Sequence, residues 1–341
     1  MNRIPPSVLR RLLLVGATTT AVALAVPRLV GVPWGNVATV LTAVPAPWIV
    51  GLVLLWAAGL ATHTVTLTAA MPGLSHRRAA TLSLTGSFVA NVLPLGGAAG
   101  IALNTRMART WGFGPREVAS YTLVTNVWDV LAKLAVASAA AALVTRAGLV
   151  LPGIGLVAGV AGALFVVSAL LLLSDRCARV VATWLDVLSE RLFRRWPRVP
   201  AGWGGAVLAT RRTAAATARE QWAGLSGGMA GYTTLLLLLL AGCLHVTGAG
   251  VPLLGLAAGF AVERVLTLAA LTPGGAGPVE VGLTAVLVAS GGDPVGVVAG
   301  VLCYRLLTFA LEIPVGGLWW AGWVLARRRS VPTRRSVVAA R

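Results

Sequence analysis

Charge is scarce in this sequence. Only 11% of its 341 residues are Asp, Glu, Lys or Arg, and the acidic ones number 10. A soluble domain carries about 25% charged residues, so this chain has too little polar surface to stay in water. Cysteine is also scarce. Cys177, Cys243 and Cys303 stand far apart, two of them in apolar segments, which excludes a disulfide framework. His63, His76 and His245 share no ligand spacing, so no metal site and no cofactor are expected. HExxH and the Walker loop are both missing, so the chain is expected to have no metalloprotease signature and no means of ATP-driven pumping by itself. The tail is too short for a soluble catalytic domain, and the chain is expected not to be an enzyme.

What is abundant is hydrophobic sequence, 57% of the residues, with a mean hydropathy of +0.85. Several apolar runs exceed the roughly 20 residues that a bilayer-crossing helix needs. They cover 12–30, 48–70, 79–104, 118–145, 153–174, 226–247, 253–291 and 294–325. The expected fold class is an all-α polytopic membrane protein with about six full crossings and two broken elements. The first run follows Arg3, Arg10 and Arg11 and resembles a secretory signal, but its length to about Val30 favours a retained helix.

The net charge of +18 invites a nucleic-acid reading, which the distribution of the arginines argues against. They sit in the gaps between apolar runs rather than along one face, as topology signals and contacts to anionic headgroups do. With the N-terminus inside and each broken run returning to its own side, 23 basic residues fall inside. Only Arg28 and Arg146 fall outside, while Lys133, Arg264 and Arg305 lie within the membrane. Both termini and the basic loop 175–222 are therefore expected to be cytoplasmic, in a plasma-membrane protein. Within that loop Val180, Val181, Trp184, Leu185, Leu188 and Leu192 recur at helical spacing, as in an interfacial helix. One domain is expected over 1–325, followed by a disordered basic tail over 326–341.

Two runs are interrupted by Pro and Gly. The first break includes Asn91, Pro94, Gly96 and Gly97; the second includes Pro273, Gly274, Gly275, Gly277 and Pro278. Proline removes a backbone donor and glycine weakens the helix, so each break frees backbone polar groups. Such backbone survives at membrane depth only where protein or a wet cavity satisfies it. The breaks read alike, LPLGGAAG against LTPGGAGP, and occupy corresponding places in 12–145 and 153–325. With the two halves oppositely oriented, this is the pattern of an inverted-repeat transporter whose site lies between the halves.

Ionisable residues in the apolar runs are Asp129, Lys133, Glu263, Arg264, Glu280, Arg305 and Glu312. A charge near the bilayer centre costs roughly 2.5–3.5 kcal/mol, so each should face protein or water. Asp129 and Lys133, four apart, share a helix face, and Arg305 and Glu312, seven apart, are expected to do the same. Glu263 and Arg264, adjacent and about 100° apart, are expected not to pair simply with each other. Glu280 stands just inside the helix that Pro278 restarts, and a turn near Gly291–Pro294 would return Arg305 to its depth. These charges either hold helices together or form a polar path for a charged headgroup, with Arg305 and Lys133 meeting phosphate.

The stretch from TPGGAGPVEVG to CYRLLTFALEIP resembles the lysylphosphatidylglycerol synthase transmembrane family, also called flippase-like membrane proteins. It carries a Pro-Gly-rich break, then Glu280, a glycine, and the Tyr304–Arg305 pair opening the last crossing. NVLPLGGAAGIALNTRMARTWGFG is similar to the family's first motif. Many members carry an acidic residue just after that break, where this chain has Gly100, Ile101 and Ala102. The aminoacyltransferase domain of the full synthases is not in this sequence. The resemblance therefore implies flipping of a phosphate-bearing lipid rather than lysyl transfer, and does not carry over the lysylated lipid as substrate. Membrane lipids, anionic headgroups and a separate lipid-modifying enzyme are the partners it implies. An embedded enzyme or accessory subunit of lipid or cell-wall glycan assembly is the alternative, and a small-solute transporter a weaker one.

Overall fold

A computed structural model describes residues 31–93, 96–148, 203–268 and 272–329, with isolated positions between 159 and 184. The predicted crossing 12–30, Pro94, most of 153–174, most of the interfacial face over 180–192 and everything beyond Arg329 lie outside those residues. Every regular element among the described residues is helical. In order they are α1 (Trp34–Thr42), α2 (Ala46–Ala70), α3 (His76–Val92), α4 (Gly96–Thr110), α5 (Pro115–Arg146), α6 (Trp203–Glu220) and α7 (Trp222–Val246). There follow α8 (Leu253–Leu268), a 3₁₀ turn (Pro273–Gly275), α9 (Pro278–Ala289), α10 (Pro294–Arg305), a π turn (Leu306–Ala310) and α11 (Glu312–Arg329). The last helix continues four residues past the boundary expected for the tail.

Local chemistry sets the starts of these helices. Proline occupies the first turn of α2, α5, α9 and α10, where its missing N–H would have no helical partner anyway. Ser75 accepts from the Arg78 N–H at the head of α3, and Asp293 accepts from the Gly296 N–H at the head of α10. Helices α2, α5, α7 and the continuous span Pro294–Arg327 are long and apolar enough to cross a bilayer, at mean hydropathies of 1.7 to 1.8. Their apolar windows are only 22–56% buried, so much of the hydrophobic surface faces outwards. Leu54, Leu143, Leu253 and Leu318 are all exposed. An apolar exterior of this extent needs lipid as its solvent.

At the centre, α2 and α7 run antiparallel in close contact. Gly224 lies against Ala69, Gly228 against Thr66, Gly231 against Thr62 and Gly242 against Leu52. The hydroxyl of Thr66 donates to the Leu225 carbonyl at 3.3 Å. Without a hydrophobic drive between helices in lipid, small residues permit this approach and its dispersion contacts. A Cβ on Gly228 would stand 2.6 Å from the Thr66 nitrogen, whereas one on Gly227 would meet nothing within 4 Å. Gly228→Ala is therefore expected to destabilise by about 1–3 kcal/mol through overpacking. Thermal unfolding in detergent checks it, with Gly227→Ala as the control that does not fall.

Each break sits at the tip of a helical hairpin. In α3–α4, Gly96 packs on the Ala90 carbonyl and Gly100 on that of Gly86. In α8–α9, Gly259 packs on Leu287 and Gly282 on Leu266. The hairpins start from opposite ends of the α2–α7 pair, and their tips meet where Asn91 and Phe309 crowd Gly274. The packing keeps its pattern when the halves are exchanged. Helix α11 packs on α3 as α5 packs on α8, and α1 packs on α10 as α6 packs on α5.

Candidate functional site

The second break bends through three left-handed glycines, Gly274, Gly275 and Gly277, with φ of 59°, 71° and 103°. Its freed backbone groups find side chains. The carbonyl of Ala276 accepts from the Thr272 hydroxyl at 2.7 Å, and the N–H of Gly277 donates to Glu280 Oε2 at 2.5 Å. Arg305 Nη2 donates to the Gly274 carbonyl at 2.8 Å, while its Nε donates to Glu280 Oε1 at 2.7 Å. Helix α9 ends at Ala289, the chain turns through Gly291, and α10 brings Arg305 back to Glu280, as the spacing predicts. Both residues are buried, at 7% and 8% exposure. The ion pair is thus tied at each end to the backbone of the break. Two of the five guanidinium N–H groups are used in this way. The guanidinium also lies 5.1 Å from the centre of the Phe309 ring.

Glu263 and Arg264 overturn an expectation. They pair with each other, Arg264 Nε and Nη2 holding the two carboxylate oxygens of Glu263. The 100° between adjacent side chains is spanned because an arginine stem can curl back around the helix and present its fork. The same Nη2 lies 3.3 Å from the hydroxyl of Tyr304, which is wholly buried. Asp129 and Lys133 form the expected local pair at 2.7 Å. Arg305 and Glu312 face the same cavity, as expected of residues sharing a face, with the π turn Leu306–Ala310 between them and no ion pair joining them. Glu312 is buried, within reach of the side chains of Ser87, Trp56 and Asn91.

Three cavities follow one another across the bundle. The first, about 530 Å³, is lined by Trp34, Leu41, Ile49, Leu52, Leu302 and Phe309, with Glu280 and Arg305 at its polar end. The second, about 170 Å³, is lined by His63, Ser87, Tyr232, Glu263, Arg264, Arg305 and Glu312. The third, about 250 Å³, shares His63, Ser83, Ser87 and Tyr232 with the second and contains Asn104, Asn126 and Asp129. Arg305 lines both the apolar cavity and the first polar one. The apolar cavity occupies the half of the bundle near the 43–45 turn. The third cavity lies mostly in the halves of α2, α4 and α5 near the turns at 71–75 and 111–114.

Of the residues singled out in the sequence, Glu280, Arg305, Glu263, Arg264 and Glu312 come together around these cavities, with Tyr304 against Arg264. Gly274 and Gly277 line the same cavities, Pro278 opens α9, and Gly275 packs on Val279. Gly97, by contrast, faces open space. Asp129 reaches the third cavity, whereas Lys133 lines none of the three. Sequence reasoning missed the neutral polar lining: His63 stacked on Tyr232 at 4.6 Å, Ser83, Ser87 and Thr308. The signal was available as a histidine and a tyrosine inside otherwise apolar helices. A family model described as the lysylphosphatidylglycerol synthase TM region matches residues 11–316. No curated protein matches the chain.

Proposed function

The chain belongs to the lysylphosphatidylglycerol synthase TM region family, and on that premise we propose that it moves a phosphate-bearing lipid between leaflets. The observation that carries this reading is the place of Arg305, with an apolar cavity of about 530 Å³ on one side and polar cavities on the other. A guanidinium keeps its charge when desolvated and offers forked donors to phosphate oxygens. The apolar cavity suits an acyl chain, and the polar cavities give the headgroup a route through the bundle. On this reading the meeting hairpin tips form the site, and the two halves rock about it to open it on alternate sides. The chain acts without a cofactor and without catalysis of its own, taking lipids from the membrane or from a separate lipid-modifying enzyme. The decisive experiment reconstitutes the purified protein in vesicles with fluorescent phosphatidylglycerol and follows quenching of the outer leaflet. Protein-dependent transfer is the expected result. Transfer no faster than in empty vesicles would end the reading.

The same proposal places the protein in the plasma membrane with both termini inside. This rests on the bias of 23 basic residues against two. Cysteines introduced beside Arg194 and Arg334 should escape an impermeant maleimide added to intact cells and react after lysis. Strong labelling of intact cells at either position would invert the topology.

A further inference from the structure

Within the apolar runs, the described residues hold four carboxylates, Asp129, Glu263, Glu280 and Glu312, and three cations, Lys133, Arg264 and Arg305. The three ion pairs Asp129–Lys133, Glu263–Arg264 and Glu280–Arg305 use every one of those cations. Glu312 is left over. It is 9% exposed, sits midway along the longest span, and lines the polar cavity of about 170 Å³. An ionised carboxylate held there without a direct ion pair leans on the field of the nearest cation, and once another anion takes up that field the cost of its charge is relieved by a proton.

The groups around it define what a proton would do. Helix α3 presents Ser83, Ser87 and Asn91, none of which titrates in the working range. Helix α2 presents His63, α7 Tyr232, and α8 the closed pair Glu263–Arg264. Arg305 shares the cavity of Glu312, is close enough to feel its charge, and also lines the cavity of about 530 Å³, with Glu280 as its ion-pair partner. An ionised Glu312 therefore competes with any anionic headgroup for the field of Arg305. Water can reach it: a cavity needs only about 10–15 Å³ for one molecule. The residues His63, Ser83, Ser87 and Tyr232 also join this cavity to the next one, with its half-exposed Asp129.

We propose that Glu312 is a proton-coupling site, taking up one proton as an anionic phosphate headgroup binds at Arg305. This rests on the translocase reading above and deepens it. The bound proton cancels the charge that the headgroup brings, so the loaded and empty sites carry the same net charge. By linkage, each ligand tightens the binding of the other.

The test uses the full-length protein. In weakly buffered detergent, phosphatidylglycerol should cause uptake of about one proton per lipid bound, read with a pH dye, and Glu312→Gln should take up none. In phosphatidylcholine vesicles carrying fluorescent phosphatidylglycerol, a gradient of one pH unit should bias the leaflet distribution by up to about tenfold, the limit for one linked proton. A protonophore should abolish the bias. Should Glu312→Gln not fold, dicyclohexylcarbodiimide, which attacks protonated buried carboxyls, should label wild-type Glu312, and more so with lipid present. Lipid transfer with no proton uptake and no gradient effect would overturn the coupling while translocation stands. Carbodiimide labelling at Glu263 or Glu280 instead of Glu312 would overturn the assignment. Proton uptake driven equally by glycerol 3-phosphate would overturn the lipid as the anion. Absence of any transfer by the wild type would overturn both readings.

Discussion

Arg305→Ala is expected to stop lipid transfer, and a second substitution at Glu280 is expected to restore stability without restoring transfer. The structure gives Arg305 two partners, the carboxylate of Glu280 and the carbonyl of Gly274. Removing the guanidinium leaves a buried charge and a buried carbonyl uncompensated, a loss of about 3–5 kcal/mol in comparable pairs. The single variant thus loses stability and function together and does not tell them apart. The double variant Arg305→Ala/Glu280→Ala has no unpaired charge and should unfold at a higher temperature than either single variant. If the pair only held helices together, lipid transfer would return with stability. If Arg305 grips phosphate, transfer stays absent in the well-folded double variant. Arg305→Lys refines the result by keeping the charge and losing the fork. One charge-assisted hydrogen bond is worth about 1.5–3 kcal/mol, so transfer should fall roughly tenfold to a hundredfold. Vesicle transfer assays and thermal unfolding of the wild type, both single alanine variants, the double variant and Arg305→Lys measure both quantities. A lysine variant at wild-type rate would remove Arg305 from headgroup binding.

That this pair could be foreseen follows from how strongly membrane sequence is constrained. An apolar run of fixed length, a Pro-Gly break and a turn signal at Gly291–Pro294 suffice to bring residues 25 positions apart to one depth. The two oppositely oriented hairpins follow from the same runs, whereas the packing of α2 on α7 does not, since apolar runs do not say which crossings touch. The Glu263–Arg264 pair was misjudged for a different reason. Helical phase gives the direction of a Cβ, not the reach of a long side chain, and arginine can cover the difference. The π turn after Arg305 leaves no mark in residue spacing, although Arg305 and Glu312 still reach one cavity. The bond from Arg305 to a backbone carbonyl was equally hidden, since every residue offers a carbonyl and only the fold selects which one is freed. Cavities lie further still from the sequence. The apolar wall of the largest of the three comes from α1, α2, α10 and the π turn, through residues such as Leu41, Ile49, Leu302 and Leu306 that read alone as ordinary lipid-facing side chains.

Gly274→Ala is expected to be among the most damaging single changes in the chain, although it adds one methyl group. Three demands coincide at this position. The backbone is left-handed, at φ 59°, which costs an L-residue roughly 1–2 kcal/mol. A Cβ would run into the Phe309 ring and stand 2.9 Å from Asn91 Oδ1, where the two hairpin tips meet. The carbonyl of the same residue receives the Arg305 Nη2 hydrogen bond, so a backbone shift that relieved the clash would pull that acceptor away. Strain, overpacking of about 1–3 kcal/mol and the loosened arginine act together. A large fall in unfolding temperature and a loss of lipid transfer should appear in the same preparation. Gly97→Ala in the other break supplies the contrast. A Cβ there meets nothing within 4 Å, and alanine favours a helix over glycine by about 1 kcal/mol, so its stability should hold or rise. Phe309→Leu introduced into Gly274→Ala should return part of the stability, since it relieves the clash with the ring and leaves the Asn91 contact and the backbone strain. If Gly274→Ala behaved like Gly97→Ala in both assays, close contact of the two tips would not be a requirement of the working protein.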